Sequence, residues 1–163
     1  MLHQYVASKF ESKNVIYAIS VAGYFNKPDL RSEHPQPEGY KPLSETIAKV
    51  QNSYTLDDTE GTIVGFWFPA YMKRIYVAGF HFHFINDRRT NGGHFFNLKM
   101  DSGTLKIMPT FDFCMHLIHT PLFEHVIMSR DFESATKKVE QKQTLPSDCS
   151  SAEVLAAASY TQQ

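Results

Sequence analysis

The chain has 163 residues, which is room for one domain and little more. Hydrophobic residues make up 42% of it and aromatic residues 13%, enough to build a core and to exclude a wholly disordered protein. Sixteen Lys and Arg against 17 Asp and Glu leave a formal net charge of -1. We therefore expect no nucleic-acid partner, because binding to backbone phosphates requires a basic excess.

The sequence also predicts no membrane partner. The longest apolar stretch, residues 61–71, is interrupted by Pro69 and is too short to cross a bilayer. Residues 1–13 lack the apolar segment of a secretory signal. Cys114 lies among apolar residues and Cys149 among polar ones, which disfavours a disulfide between them. Reduced thiols are typical of the cytoplasm, and we expect a cytoplasmic protein.

Most segments, taken in chain order, have the pattern of strands. Runs rich in Val, Ile, Tyr and Phe, bounded by turn residues, predict strands at 14–25, 61–68, 77–85, 94–100, 104–108 and 111–118. Amphipathic spacing predicts helices at 44–50 and 132–139. A proline-rich connection is predicted over 26–41, with turns over 86–93 and 101–103. The fold class is therefore α+β: a mixed or antiparallel sheet with a histidine-bearing β-hairpin and two short helices.

Three sections of the chain differ in character. Residues 1–13 are predicted to form a short N-terminal lead, residues 14–140 a single domain, and residues 141–163, rich in Gln, Ser and Ala, a mobile C-terminal tail. Within the domain, Phe66, Trp67 and Phe68 place aromatic rings on both faces of one strand. Both faces should then be buried, and we expect the chain to associate as a homodimer.

The chain has eight histidines, and they are the feature of its composition that says most about function. His81 and His83 stand at i and i+2, so on a strand their side chains share one face. His94 follows the turn and should lie almost opposite His83, where cross-strand Cβ atoms are about 5 Å apart. Three imidazoles with an open fourth position are the ligand set of a catalytic zinc, although imidazole also suits other divalent ions.

The histidine pattern has other interpretations. A solvated polar strand face would explain a single histidine better than it explains three converging ones. The cupin pattern also has His-x-His on a strand, but it places a Glu three or four residues later, where this chain has Asp87 and Arg88. A second cluster, His116, His119 and His125, would share a face only on a helix, whereas the segment has a strand pattern. We expect the first cluster to be the metal site.

Several short motifs of the sequence resemble those of acetolactate decarboxylase. They are residues 61–66 (GTIVGF), 69–71 (PAY), 77–84 (VAGFHFHF) and 92–94 (GGH), preceded by Tyr17-Ala18-Ile19, Gly23, Arg31, Gln36, Tyr40 and Pro42. The match extends over about 14–139. The resemblance implies decarboxylation of 2-acetolactate, a 2-hydroxy-3-keto acid, to acetoin and CO2. It further implies that Zn2+ is bound by His81, His83 and His94, and that the protein is a dimer.

The resemblance carries over two catalytic positions. Arg31 matches the active-site arginine of the family, and Glu140 matches a C-terminal glutamate that folds back toward the metal. Family members also have an N-terminal sheet region with another catalytic glutamate, for which residues 1–13 offer no counterpart, and Glu33 is a candidate substitute. Two alternatives follow: a truncated, inactive metal-binding homologue, or a cupin-like metal enzyme that acts on another small oxygenated substrate.

Overall fold

The computed structural model describes residues 2–35, 43–73, 75–125 and 158–160. The elements are, in chain order, α1 (Leu2–Ala7), β1 (Ile16–Glu33), α2 (Leu43–Val50), β2 (Gln51–Thr55), β3 (Thr59–Phe68), a 3-10 helix (Ala70–Met72), β4 (Gly79–Asn86), β5 (Gly92–Thr110), α3 (Pro121–Glu124) and β6 (Ala158–Tyr160). Strands dominate and the helices are short, which confirms the sheet-based fold class. None of the helices in these ranges has the length and apolar character needed to cross a membrane.

The six described strands belong to one sheet that closes on itself. Their order is β2-β1-β3-β4-β5-β6, and β1 pairs with β5 as well. The pairings therefore run from β1 through β3, β4 and β5 back to β1, in the manner of a small barrel. All of them are antiparallel except that of β5 with β6, which is parallel. Two consequences matter for the site: β4 lies between β3 and β5, and β1 lies beside β5.

Large apolar side chains on one face of the strands form the core. The buried members from the strands are Tyr17, Ile19, Val21, Phe25, Leu30, Ile63, Phe82, Phe84, Leu105 and Ile107. Val6 of α1 is fully buried among them, so the N-terminal helix closes over this core. Burying a side chain of this size contributes about 1.5–3 kcal/mol, which explains why a six-residue helix is held in place.

The connection predicted over 26–41 is wrong in its first part, because β1 continues to Glu33. Pro28 is fully buried within the strand, where the pairing of β1 with β5 shifts register between Asn26 and Asp29. An irregularity of this kind accommodates a residue that cannot donate a ladder hydrogen bond. The proline therefore marks a break in the pairing and not the end of the strand.

The turn predicted over 101–103 is also wrong, because β5 passes through it without a break. The register between β1 and β5 shifts at Tyr24 and Phe25, and Asp101 is the extra residue of the resulting bulge. Asp, Ser and Gly are typical turn residues, but a bulge uses the same conformational tolerance inside a strand. The two predicted strands on either side are one long strand.

The remaining differences lie toward the ends of the described chain. The strand predicted over 111–118 is wrong, because this segment is irregular and exposed, with Phe111 at 80%. α2 confirms the helix predicted over 44–50. The helix predicted over 132–139 lies outside the described residues, as does the tail apart from β6. The sequence does not predict α1 or β2.

The aromatic run on β3 places rings on both sides of the strand, and Phe66 is its exposed member. Trp67 packs against the core, and Phe68 is 7% exposed, in a smaller cluster with Ile16 and Met72. Phe66, which points to the opposite side from Trp67, is 41% exposed in the single chain. The homodimer that would cover it stays a prediction.

Candidate metal centre

The alternation of β4 separates a buried face from a histidine face. Phe82 and Phe84 are 6% and 2% exposed and contact the core, while His81 and His83 point to the other side of the strand. Phe25 meets Phe84 edge-on, with ring centroids 5.1 Å apart. The phenylalanines thus fix the register of β4, and that register decides where the two imidazoles project.

β5 brings the third histidine against the first two. Its pairing with β4 consists of three residue pairs, in which His94 stands directly opposite His83. The ring centroid of His94 lies 4.2 Å from that of His83 and 4.9 Å from that of His81. The structure therefore brings together all three histidines that the sequence singles out.

The donor set fits a single metal ion. The Nε2 atoms of His81 and His83 are 3.1 Å apart, and one nitrogen from each of the three rings lies within 4.8 Å of the others. Tetrahedral zinc with ordinary zinc–nitrogen bonds spaces its ligand nitrogens about 3.3 Å apart, so a small side-chain adjustment closes the site. In the described part of the chain the group consists of these three histidines, with no carboxylate or thiolate among its members.

The surroundings keep His94 in the form that binds metal. Burial, followed by the nearby charges of His83, Arg31 and His81, lowers the pKa of His94 from 6.5 to about 4, and a hydrogen bond with the backbone of Phe82 acts in the opposite direction. The imidazole is consequently neutral near pH 7, with a nitrogen lone pair available for a metal.

Arg31 stands beside the histidines on the neighbouring strand. It is the register partner of His94 in the pairing of β1 with β5, and partners in register project to the same face. Its side chain is 5% exposed. The Nη1 group donates a hydrogen bond of 3.4 Å to Oε1 of Gln51, and Nε lies 3.8 Å from Oε1 of Glu33. A buried guanidinium is thus held next to the three imidazoles. Glu140 lies outside the described residues.

The second histidine cluster is not gathered into a site. His116, His119 and His125 are exposed, and Nδ1 of His119 lies 2.9 Å from a carboxylate oxygen of Glu124. Among the described residues, the three do not form a group that could hold a metal.

Two residues near the site were missed by sequence reasoning. Gln51 contacts Arg31, and the hydroxyl of Tyr54 donates a hydrogen bond of 2.7 Å to the carbonyl of Gly92. Both are on β2, an edge strand of five residues with no clear local signal. Only the long-range pairing of β2 with β1 brings them here, so no motif could have identified them.

Known proteins resemble this chain in sequence. The sequence model of the family described as alpha-acetolactate decarboxylase matches residues 1–130. Alpha-acetolactate decarboxylase of Brevibacillus brevis is 35% identical over 141 residues, which cover 86% of this chain and 49% of that protein. The corresponding protein of Bacillus subtilis strain 168 is 36% identical over 118 residues, which cover 72% of this chain and 46% of that protein.

A solved structure supports the same relationship. The crystal structure of alpha-acetolactate decarboxylase from Bacillus subtilis strain 168 superposes with a TM-score of 0.78 at 33% identity, over 85% of this chain and 59% of that chain. The chain spans about half the length of the curated relatives it matches. Because the family model covers most of the chain and the relatives agree with it in sequence and in fold, this chain belongs to the alpha-acetolactate decarboxylase family.

Proposed function

We propose that this chain carries a zinc-dependent active site for the decarboxylation of 2-acetolactate, a 2-hydroxy-3-keto acid, to acetoin and CO2. The observation that carries the proposal is the convergence of His81, His83 and His94, whose nitrogen donors lie within 4.8 Å of one another. A buried Arg31 in register with His94 adds a cation at the same place. The reaction is that of the relatives, which are named for it.

The residues of the site divide the work between binding and charge stabilisation. Zn2+ held by the three histidines would supply a Lewis acid for the negative charge that develops on the substrate oxygens as CO2 leaves. Arg31 binds the substrate carboxylate or the neighbouring oxyanion through its planar N–H groups. The burial of the Arg31 side chain strengthens this interaction, because a buried charge is screened less than one in solvent.

A proton completes the reaction. Loss of CO2 leaves an electron pair on the substrate carbon, and protonation of that carbon gives acetoin. We assign the delivery of this proton to Glu140, in keeping with the family resemblance, since a positioned carboxyl group is an effective general acid. Glu33 is the alternative donor, because its carboxylate lies beside Arg31.

A second candidate is a metal-binding homologue with no turnover. The cytoplasmic location and the homodimer also stay proposals. Within the described residues Cys114 is a free, exposed thiol, which suits a reducing compartment.

Acetoin formation from racemic 2-acetolactate by zinc-loaded protein tests the proposal. We expect His83→Ala to reduce activity to the spontaneous background, because two imidazoles hold zinc much more weakly than three. His116→Ala, which removes an exposed histidine far along the chain from the cluster, is the matched control and should retain full activity. Comparison of Glu140→Gln with Glu33→Gln identifies the proton donor.

The metal content of each preparation separates the two candidates. Folded protein that binds one zinc per chain and yields acetoin only at background level supports the inactive homologue and refutes the decarboxylase. Activity in His83→Ala equal to that of the unaltered chain would refute the assignment of the metal site.

A further inference from the structure

The start of β5, which carries His94, has few regular backbone contacts. Its pairing with β4 is three residue pairs long. On its other side, the pairing with β1 shifts register twice, between Asn26 and Asp29 and again between Asp29 and Leu30, just before the pair of Arg31 with His94. A short ladder on one side and an irregular one on the other specify the strand position weakly.

Two glycines at the start of β5 let the strand lie very close to β4 and β1, and they leave only peptide groups to hold it in position. A Cβ at Gly92 would lie 2.7 Å from the carbonyl oxygen of Phe84 on β4, and one at Gly93 would overlap the carbonyl oxygen of Arg31 on β1. The two residues immediately before His94 therefore have no side chains with which to anchor themselves. Whatever fixes their orientation must act on the peptide groups.

Tyr54 supplies such an anchor from the far side of β1. It pairs with Leu30 in the β1–β2 ladder, and its ring packs against the core. The hydroxyl reaches past β1 and donates a hydrogen bond of 2.7 Å to the carbonyl oxygen of Gly92, in a part-buried setting. This bond links the edge strand to the peptide between Gly92 and Gly93, one residue before the third histidine.

We infer that Tyr54 is a positioning residue for the metal centre: its hydroxyl fixes the peptide between Gly92 and Gly93 and so holds the nitrogen of His94 within reach of those of His81 and His83. The inference rests on the metal site of the proposed function. Partners outside the ligand shell typically change metal affinity about 10–100-fold, and an anchor that acts through the backbone belongs at the lower end of that range.

The test is zinc affinity of the full chain, measured by competition with a chromophoric chelator. Tyr54→Phe removes the hydroxyl and keeps the ring, and we expect it to weaken zinc binding about tenfold. Tyr71→Phe is the matched control, because it also removes a tyrosine hydroxyl that donates to a backbone carbonyl, that of Asn14, at 3.2 Å. Its zinc affinity should equal that of the unaltered chain. The visible spectrum of bound Co2+ should change in Tyr54→Phe and not in Tyr71→Phe, since it reports ligand geometry.

A third variant separates positioning from packing. Tyr54→Leu removes the hydroxyl and part of the ring volume, so it should unfold at a lower denaturant concentration than Tyr54→Phe while binding zinc no more weakly. Zinc affinity in Tyr54→Phe equal to that of the unaltered chain would overturn the inference alone. If zinc affinity falls in proportion to the loss of folding stability in Tyr54→Phe and Tyr54→Leu, the inference is overturned as well. If the unaltered chain fails to bind zinc, the proposed metal site fails together with the inference.

Discussion

Replacement of Gly93 by alanine should weaken the fold and the metal site together. Gly93 has a φ of 155°, and a Cβ there would overlap the carbonyl oxygen of Arg31. A positive φ costs an L-residue about 1–3 kcal/mol. Relief of the overlap requires β5 to move away from β1, and overpacking of this kind costs about 1–3 kcal/mol more. We expect Gly93→Ala to lower the free energy of unfolding by about 4 kcal/mol, the sum of the middle values of the two ranges.

Gly79→Ala separates the two contributions. Gly79 has a φ of 105°, but no atom lies within 4 Å of the position that a Cβ would occupy. Its replacement therefore has a conformational cost without the overlap, and we expect a loss of about 1–2 kcal/mol. Urea denaturation of both metal-free variants, followed by circular dichroism, measures the difference. Equal losses in the two variants would refute the close contact between Gly93 and β1, and unchanged zinc affinity in Gly93→Ala would refute its influence on His94.

Two further predictions concern charge at the site. Because the pKa of His94 is lowered from 6.5 to about 4, the unfolded chain takes up a proton between these values that the folded chain does not. The metal-free protein should therefore lose stability as the pH falls from 6.5 to 4, by about 1–2 kcal/mol once solvent screening is allowed for. Thermal melts across this pH range measure the loss. If His94→Ala loses as much stability over the range as the unaltered chain, the effect does not come from His94. Arg31→Lys keeps the charge but loses the planar fork, so kcat/KM for 2-acetolactate should fall by about tenfold or more. The zinc affinity of Arg31→Lys should stay within about twofold of that of the unaltered chain, since the charge beside His94 is kept. If the two proteins have equal kcat/KM values, Arg31 does not bind the substrate.

The histidine face could be predicted because it depends on local rules. Alternation along a strand places His81 and His83 on one side of β4, whatever the rest of the chain does. The position of His94 follows from the length of the turn between the two strands, since a hairpin pairs residues that are equally distant from its centre. Each of these steps needs only a few neighbouring residues, and a short stretch of sequence contains them.

The surroundings of Arg31 could not be predicted, because they depend on pairing between distant segments. Pro28 made this part of β1 look like a connection, and Asp101 made the middle of β5 look like a turn. In both places a bulge lets the strand continue, and the need for it arises only when β1 and β5 lie side by side. The contacts of Gln51 and Tyr54 come from β2, whose pattern is too short to predict its partner.

Fold and site are coupled through the register of β4. A slip by one residue would turn His81 and His83 into the core and expose Phe82 and Phe84. The same register therefore determines both the burial of the phenylalanines and the placement of the imidazoles. The turn that fixes this register is closed by Asn86, whose buried side-chain oxygen accepts hydrogen bonds of 3.0 Å from the backbone N–H groups of the fourth and fifth residues after it. A substitution there should therefore affect metal binding as well as stability, although the side-chain hydrogen bonds of Asn86 are to Thr90 and Asn91 and not to the histidines.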